Sequence, residues 1–288
     1  MIQSIGKKSS FFILCAFLLV GCIAKSALAP NPAELRVIYI YNDKGASKTG
    51  IENSKDAIST LDPQLYVVKE INAEQTINGE WRKDAAAFIM PGGADLPYCK
   101  KLNGAGNAHI KEYVEAGGTY IGFCAGAYYG SHYCEFHKGD TRGYEVLGER
   151  ELSFFPGAAA GPLLAPYDYA SKAGSRIANI KWHQSDESYN VYFNGGCYFK
   201  DADQSRNVRI LANYTNAGFD GLAAIVECQV GKGKALLCGV HPECGAENLQ
   251  AEMIKASAED VNHLQNNIIP GLLDRSHARL FAVLIGRI

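Results

Sequence analysis

Three short segments hold the residues whose types and spacing could do chemistry: Gly122-Phe123-Cys124-Ala125-Gly126, His241-Pro242-Glu243 and Pro91-Gly92-Gly93. In the first, a cysteine stands between two glycines where an apolar run has to turn into a helix. A nucleophile on such an elbow is held on a strained bend, and its small neighbours let strand and helix come close. The helix N-terminus adds a dipole and unpaired N–H groups that favour a thiolate. A thiol nucleophile needs a base, and the base needs a third group that fixes its tautomer and stabilises its charged form. His241 and Glu243 meet that need if the chain turns at Pro242. Backbone N–H groups of Gly92, Gly93 and Ala125 can point at a developing oxyanion. Each segment alone also suits an ordinary glycine turn or surface turn. Together they assign Cys124 as nucleophile, His241 as base, Glu243 as its orienting group and Gly92, Gly93 and Ala125 as oxyanion donors.

The surrounding patterning supplies elements to hold these groups. Leu35 to Tyr41, Leu65 to Val68, Ala85 to Met90 and Thr119 to Phe123 are short apolar, β-branched or aromatic runs of the kind that form buried parallel strands. Helical segments are expected at about 48–61 and 107–116, the latter stopped by Gly117-Gly118. This alternation predicts an α/β domain: a mostly parallel sheet with helices on both faces and ligands at the carboxyl ends of its strands. The middle, about 144–214, is aromatic and rich in glycine and proline. Strand candidates at 151–155, 177–182, 189–193 and 208–214 suggest added antiparallel strands. A hairpin of 223–230 and 234–240 delivers His241, and should set Cys228 nearly opposite Cys238, with Glu227 beside them facing solvent. A helix over about 247–267 follows, and 279–288 is open between strand and helix.

With these motifs placed, the chain resembles the class I glutamine amidotransferase superfamily in the order Pro-Gly-Gly, Gly-x-Cys-x-Gly, His-Pro-Glu. More closely, Met90-Pro91-Gly92-Gly93-Ala94-Asp95-Leu96-Pro97-Tyr98, Gly122 to Tyr129 and Val191-Tyr192-Phe193-Asn194-Gly195-Gly196 resemble the family named after the N-terminal domain of eukaryotic biotin-protein ligases. The resemblance spans about 35–273 and implies a flavodoxin-like fold and the triad roles above, without a defined substrate. Glutaminases of the superfamily carry a glutamine where this chain has Tyr128, which speaks against glutamine as substrate. The glycine-rich ATP and biotin signatures of a ligase catalytic domain are not found, so biotinylation is not expected.

Residues 1–21 read as a signal peptide: Lys7 and Lys8 precede an apolar core from Phe11 to Val20, too short to span a bilayer. Leu19-Val20-Gly21-Cys22 resembles a bacterial lipobox, with Cys22 as the lipidation site. Soluble secretion by cleavage after Ala27-Leu28-Ala29 is disfavoured by the following Pro30, and an uncleaved anchor is the remaining alternative. Residues 22–34 then form a tether and 35–288 the amidotransferase-like domain, held on a membrane of the bacterial cell envelope through its lipid anchor. With 288 residues, 47% of them apolar, the chain is long enough for a buried core. Its formal charge of −2 becomes −4 once Lys7 and Lys8 are removed, which argues against a nucleic-acid partner. Seven cysteines follow Cys22, an odd number without zinc-ligand spacing, so no metal or other cofactor is expected.

The leading expectation is therefore a cysteine-nucleophile hydrolase or amidase acting on a small-molecule or peptide-like amide of the envelope. The alternative is a non-catalytic ligand-binding or interaction module that keeps the fold. A redox role, with Cys134 and Cys244 near Cys124, is the third.

Overall fold

The computed structural model describes Met1 and residues 35–288. The expected signal peptide, Cys22 and the tether lie outside the described residues. The first half runs β1 (Arg36–Tyr41), α1 (Lys48–Leu61), β2 (Tyr66–Ile71), α2 (Ala73–Asn78), β3 (Ala85–Met90), α3 (Asp95–Leu102), α4 (Ala105–Glu115), β4 (Thr119–Phe123) and α5 (Ala125–Gly130). Seven strands follow: β5 (Ser131–Phe136), β6 (Val146–Glu149), β7 (Phe155–Gly161), β8 (Arg176–Trp182), β9 (Ser188–Phe193), β10 (Tyr198–Phe199) and β11 (Val208–Tyr214). The hairpin β12 (Ala223–Val230) and β13 (Gly233–Cys238) leads into α6 (Ala246–Met253), α7 (Ala258–His263), α8 (Ile269–Leu272) and α9 (Ser276–Ile285).

Five parallel strands in the order β2-β1-β3-β4-β13 form the centre of the sheet. Alternation along the central strands builds two cores. Ile38, Ile40, Ile89, Ile121 and Phe123 face one side, where they meet Ile51 and Ile58 of α1 and Leu280, Phe281 and Leu284 of α9. Tyr41, Phe88, Met90 and Tyr120 face the other, against Tyr98 of α3, Ile110 of α4 and Tyr129 of α5. Each such fully buried side chain stabilises the fold by about 1.5–3 kcal/mol. Helices thus cover both faces, as the βα alternation predicts, and antiparallel strands extend the sheet beyond β13.

Four expectations need correction. The turn Gly231-Lys232 closes the hairpin between Val230 and Gly233, so Cys228 faces Ala235 and Cys238 faces Ile225. Glu227 is largely buried, and it pairs with Arg209 and with Arg287 at 2.7 Å rather than facing solvent. Residues 151–154 are not a strand: Ser153 adopts a left-handed φ of 49°, and extended structure begins at Phe155 in the small-residue strand β7, which pairs in parallel with β5. The expected long helix after His241 is broken, because the Ser257 side chain accepts from the Asp260 N–H and starts α7 afresh. The open segment 279–288 belongs mainly to α9.

Candidate active site

The three motif segments meet at the carboxyl ends of β3, β4 and β13, which are neighbours in the sheet. Cys124 is the first residue past β4. Its N–H donates to the Cys238 carbonyl at 2.9 Å, tying the elbow to the end of β13, and its own carbonyl accepts from Ala127 and Tyr128 N–H to open α5. The bend forces Cys124 to φ 47° and ψ −106°, a strained conformation for a residue with a Cβ. Small neighbours make the crossing possible. A Cβ at Gly126 would stand 2.1 Å from the Met90 carbonyl oxygen, and one at Gly122 would stand 2.4 Å from the Gly126 oxygen.

His241 follows β13 after Gly239-Val240, and its N–H donates to the Tyr192 carbonyl at 2.9 Å, anchoring it to the end of β9. Its Nδ1 lies 2.8 Å from Glu243 Oε1, within a carboxylate side chain that is only 1% exposed. With Nδ1 so engaged, Nε2 is the nitrogen left for the cysteine. Gly92 marks where the ring sits: a Cβ there would be 2.8 Å from His241 Cε1 and 3.6 Å from Cys124 Cβ. Burial alone would push the imidazolium toward its neutral form, but the Glu243 carboxylate and Cys124 outweigh it and hold the His241 pKa well above its usual value. The Cys124 thiol itself donates to the Asn194 carbonyl oxygen at 3.7 Å.

The Pro91-Gly92-Gly93 turn is pinned on one side. The Ser47 N–H donates to Gly92 O and the Ala94 N–H to Gly45 O, both at 2.9 Å, in an antiparallel bridge between Ala46 and Gly93. In that pattern the bridged residue's own N–H points away from its partner, which leaves the Gly93 N–H for the other side. Next to the turn, Asp95 Oδ2 accepts from Arg150 Nε at 2.7 Å, and Arg150 Nη1 donates to the Gly148 and Glu149 carbonyls. This buried pair fixes the start of α3.

Cys124, His241, Glu243, Gly92, Gly93 and Ala125 all line one cavity of about 480 Å³, a size suited to a small molecule. Of the candidate site residues assigned from the sequence, Cys22 is the one that lies outside the described region. Cys134 and Cys244 line the same cavity, and all seven described cysteines are free thiols. Tyr128 is buried on the wall, its hydroxyl donating to the Gly195 and Gly196 carbonyls at 3.3 and 3.2 Å. Sequence reasoning assigned no role to Asn194, Tyr167, Lys172 or Glu252, which also form the wall. Asn194 sits inside the Asn-Gly-Gly segment that carried part of the family resemblance. The other three had no local signal, being brought in by loops and by α6.

The model of the family described as biotin-protein ligase, N terminal, matches residues 36–280. A biotin–protein ligase of Schizosaccharomyces pombe is 36% identical over 213 residues, covering 73% of this chain. The chain spans only 34% of that ligase's length. An uncharacterized protein of Chlamydia muridarum is 33% identical over 229 residues, covering 78% of this chain and 87% of its own. Among solved structures, a β-galactosidase from Bacillus circulans is 10% identical with a TM-score of 0.43, covering 72% of this chain and 29% of its own. At that level it informs neither fold nor chemistry.

Proposed function

The chain belongs to the family of biotin-protein ligase N-terminal domains, and from that premise we propose that it is a cysteine-nucleophile hydrolase acting on an amide bond. One observation carries the proposal: an imidazole braced by Glu243 at 2.8 Å and an elbow cysteine flank the same Gly92 position and line one cavity. The proton of the thiol passes to His241 Nε2 first, and Cys124 Sγ then attacks the amide carbonyl carbon. The carbonyl oxygen takes up the negative charge and receives the Gly93 and Ala125 N–H groups. Collapse of the tetrahedral adduct breaks the C–N bond, and His241 returns the proton to the departing nitrogen. Water then adds to the thioester, giving one proton to His241, and expulsion of the sulfur releases the acid and restores the thiol. Glu243 keeps the ring oriented and balances its charge throughout.

The thiol labelling rate tests this. At neutral pH, Cys124 should react with a thiol-directed probe faster than Cys99, the partly exposed cysteine, and faster than a free thiol in water. No excess over a free thiol sinks the nucleophile assignment. The N-terminal sequence supports export and lipid attachment at Cys22, placing the domain on a membrane of the bacterial cell envelope. Replacing Cys22 with serine should then move the protein from the membrane to the soluble fraction.

Tyr128 favours a second reading. It stands where glutaminases of the superfamily carry a glutamine, and its ring fills part of the wall. In a binding module of this kind, Cys124→Ser leaves ligand affinity intact, whereas a hydrolase loses turnover by orders of magnitude.

A further inference from the structure

Four fixed charges stand on the cavity wall among the described residues besides His241: Asp95, Lys172, Glu243 and Glu252. Each already has its counter-charge within the protein. Arg150 Nε is 2.7 Å from Asp95 Oδ2, His241 Nδ1 is 2.8 Å from Glu243 Oε1, and Lys172 Nζ is 2.6 Å from Glu252 Oε2. The wall's unmet hydrogen-bonding capacity includes neutral groups. The Tyr192 hydroxyl, Asn194 Oδ1 and the second carboxylate oxygen of Glu243, Oε2, are buried without a partner among the described residues, and such groups weaken a site unless a ligand satisfies them. A ligand bearing a free carboxylate would have to break one of the internal pairs or enter unpaired, and a free ammonium would meet only Glu243 Oε2, whose charge His241 already balances; both are unfavourable away from water. A ligand whose polar groups are N–H and C=O would meet a hydroxyl and an amide that can donate and accept in return.

We propose that this cavity selects an electrically neutral, peptide-like amide over a free amino acid or other charged amide. In this scheme Glu252 is the specificity-determining residue, because it occupies Lys172 and keeps that ammonium from receiving a carboxylate. The proposal rests on the hydrolase reading for the use of Cys124, but its signature is selectivity, which can be read without turnover. Tyr192 lies on the His241 side of the thiol, with ring centroids 5.9 Å apart. The amine released by His241 therefore departs toward Tyr192.

The test compares the rates at which iodoacetamide, iodoacetate and 2-bromoethylammonium alkylate Cys124 in the full chain, resolved by peptide mapping. Each rate is divided by that reagent's rate with a free thiol at the same pH. The neutral reagent should be favoured over both charged ones by about tenfold or more, a difference of about 1.4 kcal/mol. Glu252→Gln frees Lys172 and should raise the iodoacetate rate relative to iodoacetamide by about tenfold. Lys172→Gln should shift the preference toward the cationic reagent instead. If iodoacetate or the ammonium reagent matches iodoacetamide in the unaltered chain, or if a folded variant leaves the ratio unchanged, the proposal is overturned. Should a variant fail to fold, the three-reagent comparison on the unaltered chain still decides. A Cys124 that reacts with all three reagents no faster than a free thiol overturns the hydrolase reading as well as this one.

Discussion

Gly92 and His241 share one volume: the side chain that Gly92 lacks is the space that the imidazole occupies, with the hypothetical Cβ only 2.8 Å from Cε1. The glycine is therefore part of the imidazole's socket as well as part of a turn. Gly92→Ala should push the ring off the thiol and slow Cys124 labelling by about tenfold or more, with a stability loss of about 1–3 kcal/mol from overpacking. Equal labelling rates in the variant and the unaltered chain would show that the ring does not sit there.

The strain at Cys124 predicts an order of stabilities. With φ at 47°, glycine accommodates the bend better than any residue carrying a Cβ. Cys124→Gly should be more stable than Cys124→Ala by about 1 kcal/mol, or about 2–4 °C in melting temperature for a domain of this size. Calorimetry of the two variants checks it. An alanine variant that melts higher contradicts a strained elbow.

His241 gives the stability a pH dependence. Its folded-state pKa is raised well above the ordinary 6.5 by Glu243 and Cys124, against the opposing effect of burial. The stabilisation from the charged ring is therefore fully present below about 6.5 and is lost as pH rises through the folded-state value. Denaturant unfolding of the unaltered chain and of His241→Gln should differ most near pH 6, by about 3 kcal/mol or more because Glu243 is left buried and unpaired. The gap should narrow toward pH 9. A gap that widens with rising pH would reverse the sign of the shift.

Arg150 and Asp95 make the corresponding structural test. Their side chains are 3% and 11% exposed, so Arg150→Met strands a buried carboxylate beside the oxyanion turn. The expected loss is about 3–5 kcal/mol, part of it recovered when Asp95→Asn is added. If unfolding of the single variant shows a loss of less than 1 kcal/mol, the pair does not anchor α3.

Much of this architecture was legible in the chain because the relevant signals are local. The run Thr119 to Phe123 followed by Gly-x-Cys-x-Gly specifies a buried strand ending in a tight bend, and both strand and bend stand where expected. The same holds for Ala85 to Met90 before the Pro-Gly-Gly turn. What stayed hidden depends on partners distant in sequence. Strand β7 is alanines and glycines from Gly157 to Gly161, with little intrinsic strand preference, and becomes extended because β5 and β10 flank it. Lys172 and Glu252 are 80 positions apart, and no spacing rule connects a loop lysine to a glutamate on α6. The expected Cys228 and Cys238 register is off by three positions, because the hairpin turns on only two residues, Gly231 and Lys232.

The most direct test of the central claim is the rate at which Cys124 is alkylated at pH 7 in the unaltered chain and in His241→Asn. A braced imidazole that takes the thiol proton predicts a fall of about 100-fold or more on losing the ring, with the other cysteines unaffected. A rate at Cys124 that is unchanged by removing His241 contradicts the account.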